Sequence, residues 1–95
     1  MKRNLKLDNG SDVVVYIKEP VLDEATDGHY SCEFLISGLS RSVASVGMGV
    51  DAIDAIVNVL SLVGNRLYTS DEFKAGRLSW ECSLADGDLG FPSTI

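Results

Sequence analysis

Across residues 50–67 the polar positions Asp54, Asn58, Ser61 and Asn65 are spaced by four, three and four. At 3.6 residues per turn that spacing stacks them into one thin stripe of a helix. Ala52, Ile53, Ala55, Ile56, Val57, Val59, Leu60, Leu62, Val63 and Leu67 make up most of the rest. The apolar arc spans about 220°, roughly twice what a helix lying on one side of a core requires. The pattern therefore predicts a helix covered from two directions, by a sheet on one flank and by a loop, the tail or a second subunit on the other. Asp51 is the expected N-cap, with Asp54 three residues on where a carboxylate also meets the positive end of the helix dipole. The shorter side chain of Asp54, in place of the usual Glu, makes reciprocal capping less secure.

Strand-like alternation surrounds this helix. Asn9-Gly10 predicts a type I′ hairpin turn, between residues 4–8, where Leu5 and Leu7 alternate with charges, and residues 12–18. Val13-Val14-Val15-Tyr16-Ile17 is β-branched and aromatic on both faces, as in a strand with little exposure, and Pro20 ends it. Residues 21–28 read as an acidic connection. In Tyr30-Ser31-Cys32-Glu33-Phe34-Leu35-Ile36 the residues Tyr30, Cys32, Phe34 and Ile36 share one face. Residues 41–48 alternate weakly and form a short further strand leading to the helix. Residues 71–76 read as a second acidic-to-flexible connection with room for one helical turn. Leu78-Ser79-Trp80-Glu81-Cys82-Ser83-Leu84 alternates cleanly, and the 86–92 tail is a turn followed by apolar residues that close one end of the core.

These elements, in the order β-β-β-(β)-α-β, predict one α+β domain over the whole chain: a mostly antiparallel sheet of about four or five strands packed on one long helix. Tyr30, Phe34, Trp80 and Leu84 are expected to meet Ile53, Ile56, Leu60 and Val63 in the core.

The chain has 95 residues, an apolar fraction of 45% and a net charge of −6, with a pI near 4.5. That acidity argues against nucleic acid and anionic membrane surfaces as partners and suits a basic protein partner. Residues 43–64 are apolar, yet Asp51 and Asp54 would each cost roughly 2.5–3.5 kcal/mol at a bilayer centre. No secretory leader is visible in the first residues, so a cytoplasmic location is expected, with Cys32 and Cys82 as reduced interior thiols.

Candidate chemistry is sparse. His29 is the single histidine. It stands three residues from Cys32, a spacing that puts the two on opposite faces of a strand. The cysteines form no CxxC pair and no metal-ligand spacing is present. Asp86-Gly87-Asp88 lacks the remaining ligands of a calcium loop. Gly47-Met48-Gly49 precedes a helix but lacks the lysine of phosphate-binding loops. Glu33 and Glu81 each interrupt an apolar strand. If those strands are neighbours, Ser31, Glu33, Ser79 and Glu81 form a polar sheet face, which solvent alone would explain. Ala55, Val59 and Leu62 lie at the edge of the helix's apolar arc and form the candidate self-association surface.

Gly49-Val50-Asp51 opening the helix, Leu78-Ser79-Trp80, Asp88-Leu89-Gly90-Phe91-Pro92, and the strand and turn Tyr30-Ser31-Cys32-Glu33-Phe34 and Ile36-Ser37-Gly38-Leu39 together resemble a small bacterial family catalogued only as a domain of unknown function. In similar sequences the helix carries Gln where this one has Asp54. The resemblance implies a compact α+β domain and supplies no activity, cofactor or catalytic residue.

The expectation is therefore a non-enzymatic accessory or interaction domain, without cofactor or metal, that forms a homodimer through the helix's second apolar flank. The alternative is an acidic immunity-type protein neutralising a basic toxin partner. A small-molecule-binding domain is a third reading.

Overall fold

The computed structural model describes residues 1–80 and 88–92. Its strands are β1 (Lys2–Leu7), β2 (Asp12–Ile17), β3 (Val21–Asp23), β4 (His29–Ser37), β5 (Val43–Gly49) and β6 (Leu78–Ser79). Helix α1 (Ala52–Tyr68) crosses from β5, and a short helix α2 (Asp71–Lys74) leads to β6. All pairings are antiparallel: β6 against β1, β1 against β2, β2 and β3 against β4, and β4 against β5. The protein is thus the α+β domain that the patterns predict, an open antiparallel sheet with one main helix on one face.

Two local departures from expectation have simple causes. The stretch 21–28 is not only a connection: it contains β3 and a 3-10 turn (Glu24–Thr26) capped by Asp23, whose Oδ1 accepts from the Ala25 N–H at 3.0 Å. β3 is the continuation of β2 along β4 with the register shifted by one, since Ile17 pairs Phe34 but Val21 pairs Ser31. The extra residue is absorbed around Pro20, which has no N–H to give the ladder. The hairpin at Asn9-Gly10 is also not type I′. Gly10 alone there takes positive φ, +87°. Its N–H donates to Leu7 O at 3.0 Å while Leu7 N–H donates to Ser11 O at 2.9 Å. That is the three-residue loop with glycine in the left-handed position.

The inner face of the sheet carries Leu5, Leu7, Val13, Val15, Ile17, Cys32, Phe34 and Ile36, all buried, and the predicted alternation of β4 holds. Against them α1 presents Ala55, Val59, Val63 and Leu67. Ile53, expected in the core, is instead 74% exposed, and Trp80 lies beside the core rather than in it. Leu84 falls outside the described residues. The small residues decide the helix's orientation. A side chain at Gly49 would run into the backbone at Asp54 and Ala55, and one at Gly47 into the Val59 side chain. The two glycines thus let β5 and α1 approach closely.

The capping prediction is met with a variation. Asp51 accepts from the Asp54 N–H at 2.7 Å, and Asp54 answers by accepting from Val50 N–H at 3.0 Å, one residue before the cap. The supposed solvent stripe is partly employed, since Asn58 Nδ2 donates to Met48 O at 2.6 Å and ties α1 to β5. Among the described residues, the second flank of α1 is covered near its C-terminal end. There Phe91 and Pro92 lie against Gly64, and the Tyr68 hydroxyl accepts from Leu89 N–H at 2.9 Å.

Candidate functional site

Alternation along antiparallel strands sends every second residue to the face away from the helix. On β2, β4 and β5 those positions hold Tyr16, Leu35, Ala44, Val46 and Met48 together with Ser31 and Glu33. Pairing places Tyr16 beside Leu35, Leu35 beside Ala44, and Glu33 beside Val46. The outward face of a sheet with one covered side is ordinarily polar. Here Tyr16, Leu35, Val46 and Met48 are 42%, 38%, 46% and 38% exposed. With Met1, Lys18 and Glu33, the first three of these border an open cleft of about 820 Å³. Lys18 Nζ and Glu33 Oε2, 3.0 Å apart, form an exposed ion pair at its rim, worth at most about 1 kcal/mol.

The sequence-predicted residues are distributed differently from expectation. Ser31, Glu33 and Ser79 do lie on the outward face, but β1 and β2 separate β4 from β6, a gap of about 14 Å at strand spacing. They therefore form no common site, and Glu81 lies outside the described residues. Ala55 and Val59 are fully buried against the sheet, so they offer no surface to a partner. Leu62, 40% exposed, overhangs β5. The flank that does remain bare is Ile53 and Val57, 74% and 52% exposed. The outward apolar residues were missed by sequence reasoning, although Val13–Ile17 reading as apolar on both faces carried the signal.

Other candidates resolve into structural roles. Cys32 is buried, and its Sγ donates to Lys18 O at 3.2 Å. Burial pushes its thiol up, and the amino group at the chain start opposes this more weakly. His29 is exposed at the start of β4. Asp88 Oδ1 accepts from Gly90 N–H at 2.8 Å and so organises its own turn. Cys82, Asp86 and Gly87 lie outside the described residues. Among the described residues no group of three or more His, Cys, Asp or Glu is placed to hold a metal ion, and no helix is long and apolar enough to cross a membrane.

The class these features define is an open-faced antiparallel α+β domain. More particularly, the chain belongs to the family described as Domain of unknown function (DUF6968), whose model matches residues 1–93. No curated protein and no solved structure matches it.

Proposed function

We propose that the protein is a non-enzymatic interaction domain that pairs with a second copy through β5 and the apolar cleft beside it. The observation that carries this reading is the character of β5. One edge of this strand pairs with β4, and no described strand lies along the other. Residues 42–50 contain no ionisable side chain and no proline. Natural edge strands are usually protected by charge, proline or a bulge, and an unprotected one is a template for strand addition. Asn58 already takes the Met48 carbonyl, so pairing is expected over residues 43–47.

An antiparallel twofold centred on Ser45 sets Ala44 opposite the second copy's Val46 and joins the two apolar clefts into one surface. It also suits the charge of −6 on each copy. The two Asp51 carboxylates would stand about 40 Å apart along the paired strands at 3.3 Å per residue, several Debye lengths at physiological salt. An open, mainly apolar cleft suits a protein surface better than an enclosed small ligand.

Sedimentation velocity over micromolar concentrations tests the proposal. A dimer is expected for the native protein and a monomer for Ala44→Lys/Val46→Lys, which gathers four ammonium groups around the axis at exposed positions. A monomer at every concentration, or a dimer indifferent to the double substitution, would refute it.

A further inference from the structure

On the opposite side of the sheet from that cleft, one flank of α1 changes character along its length. Ile53, Val57 and Gly64 lie at offsets of four and seven, so they share a flank. At Gly64 the flank is closed, because Phe91 and Pro92 of the chain's own 88–92 segment press against it so tightly that a side chain there would collide with the Pro92 carbonyl. That segment is tied to Arg3 of β1, whose Nη1 donates to the Leu89 and Gly90 carbonyls at 3.3 and 2.9 Å. The flank therefore faces the β1–β2–β3 side of the sheet. Two turns earlier the same flank is bare at Ile53 and Val57.

The floor of this open stretch follows from the register. Gly49 sits directly beneath the helix at Asp54 and Ala55, Tyr30 pairs Gly49, and Leu22 pairs Tyr30. The row Gly49–Tyr30–Leu22 thus runs out from under the helix along the inner face, with Tyr30 partly buried and Leu22 50% exposed. By this register Ile53 and Val57 stand beside the row that ends in Tyr30 and Leu22, and the four together outline an apolar groove. Farther along the helix the same flank is occupied at Gly64 by Phe91 and Pro92.

Its surroundings select the occupant. The pairing of Asp23 with His29 and of Tyr30 with Gly49 brings the 3-10 turn and the start of α1 to the same end of the sheet. Glu19, Asp23, Glu24, Asp27, Asp51 and Asp54 all fall in stretches 19–30 and 47–58, which hold no Lys or Arg. A second copy would bring the same negative end and be repelled; a cationic chain would be drawn in. We infer that this groove is a docking site for a lysine- or arginine-bearing segment of a different protein, anchored by apolar side chains against Ile53, Val57, Tyr30 and Leu22. The charges supply encounter rate and choice of partner, and the apolar anchors supply residence time.

The test uses three fluorescein-labelled octapeptides, alternating Lys-Leu, Lys-Ser and Glu-Leu, in anisotropy titrations and ¹H–¹⁵N shift mapping of the whole chain. The Lys-Leu peptide is expected to bind, with shifts centred on Leu22, Tyr30, Ile53 and Val57. The other two are expected to bind at least about tenfold more weakly, equivalent to about 1.4 kcal/mol. Ile53→Ser/Val57→Ser, both at exposed positions, should weaken the Lys-Leu peptide by about tenfold or more, and Glu24→Gln/Asp27→Asn should flatten its salt dependence. No binding, equal binding of Lys-Leu and Lys-Ser, shifts centred on Tyr16, Leu35 and Val46, or indifference to the Ile53/Val57 pair would each overturn the inference. None of these outcomes depends on dimerisation through β5, which the Ala44→Lys/Val46→Lys variant probes separately.

Discussion

Arg3 on β1 lays its guanidinium over the indole of Trp80, 4.0 Å from the ring centroid. The same group lies 4.8 Å from the Phe91 ring centroid. With its hydrogen bonds to the Leu89 and Gly90 carbonyls, it acts as a buckle that fastens the 88–92 segment across the edge of the core, where Leu89 is fully buried.

Arg3→Ala should therefore loosen that segment. A partly desolvated cation–π contact is worth about 0.5–2 kcal/mol, and each neutral-acceptor hydrogen bond adds about 1 kcal/mol. A loss of about 2.5–4 kcal/mol in urea unfolding is expected, with a red shift of Trp80 emission in the native baseline. Arg3→Lys keeps the charge but not the planar stack, so it should recover only part of the loss.

Gly64→Ala should destabilise the protein although the same change in an ordinary helix gains about 1 kcal/mol. The added methyl would occupy the place of the Pro92 carbonyl oxygen, and overpacking of this kind costs about 1–3 kcal/mol. Because Arg3 and Gly64 secure one segment from opposite sides, the Arg3→Ala/Gly64→Ala double variant should lose less than the sum of the two singles in denaturation experiments. Additive losses would mean that the two contacts act independently.

The same particulars explain what was readable beforehand. Period-two alternation identified the inner face of β4, and Asp51 marked the helix start within a residue, because both are local signals. The direction in which α1 faces was not readable from hydropathy, since an apolar arc of about 220° fits the sheet at many rotations. Size settles it instead: Gly47 and Gly49 on β5 meet Val59 and Ala55 on α1, so the smaller residues take the sheet and leave Ile53 outside. Read for volume, the alternating glycines would have pointed to close packing rather than to a phosphate loop. The register shift between β2 and β3 and the Arg3 buckle depend on partners far along the chain, and no periodicity announces them. The outward cleft was hidden because a strand apolar on both faces looks like a covered one.

Cys32 should be chemically silent in the folded protein. It is fully buried with its thiol donating to Lys18 O, and burial raises its pKa and so depletes the reactive thiolate. Alkylation with iodoacetamide, read by peptide mass mapping so that Cys82 is scored separately, should proceed at least about a hundredfold more slowly at Cys32 in buffer than in urea, since reaction must await opening of the core. Comparable rates in the two conditions would show that β4 opens readily by itself.

Glu72 should make stability depend on acid. It is a buried carboxylate, 7% exposed, and its Oε2 accepts from the Ser40 backbone N–H at 2.7 Å, holding the turn after β4 against α2. That hydrogen bond is the main reason its pKa lies below the ordinary 4.5, with Arg77 a lesser contributor and burial working the other way. A carboxyl depressed in the folded state stabilises the protein fully above its unfolded value, and the gain is lost as pH falls through the folded value. Glu72→Gln retains an acceptor but not the charge, so it should cost about 1–2 kcal/mol near neutrality, toward the low end for hydrogen bonds to charged groups. Urea unfolding at a series of pH values should show the gap between native and variant closing below about pH 4.5. A gap that stays constant from neutrality into acid would trace the loss to packing around residue 72 rather than to the Ser40-bonded carboxylate.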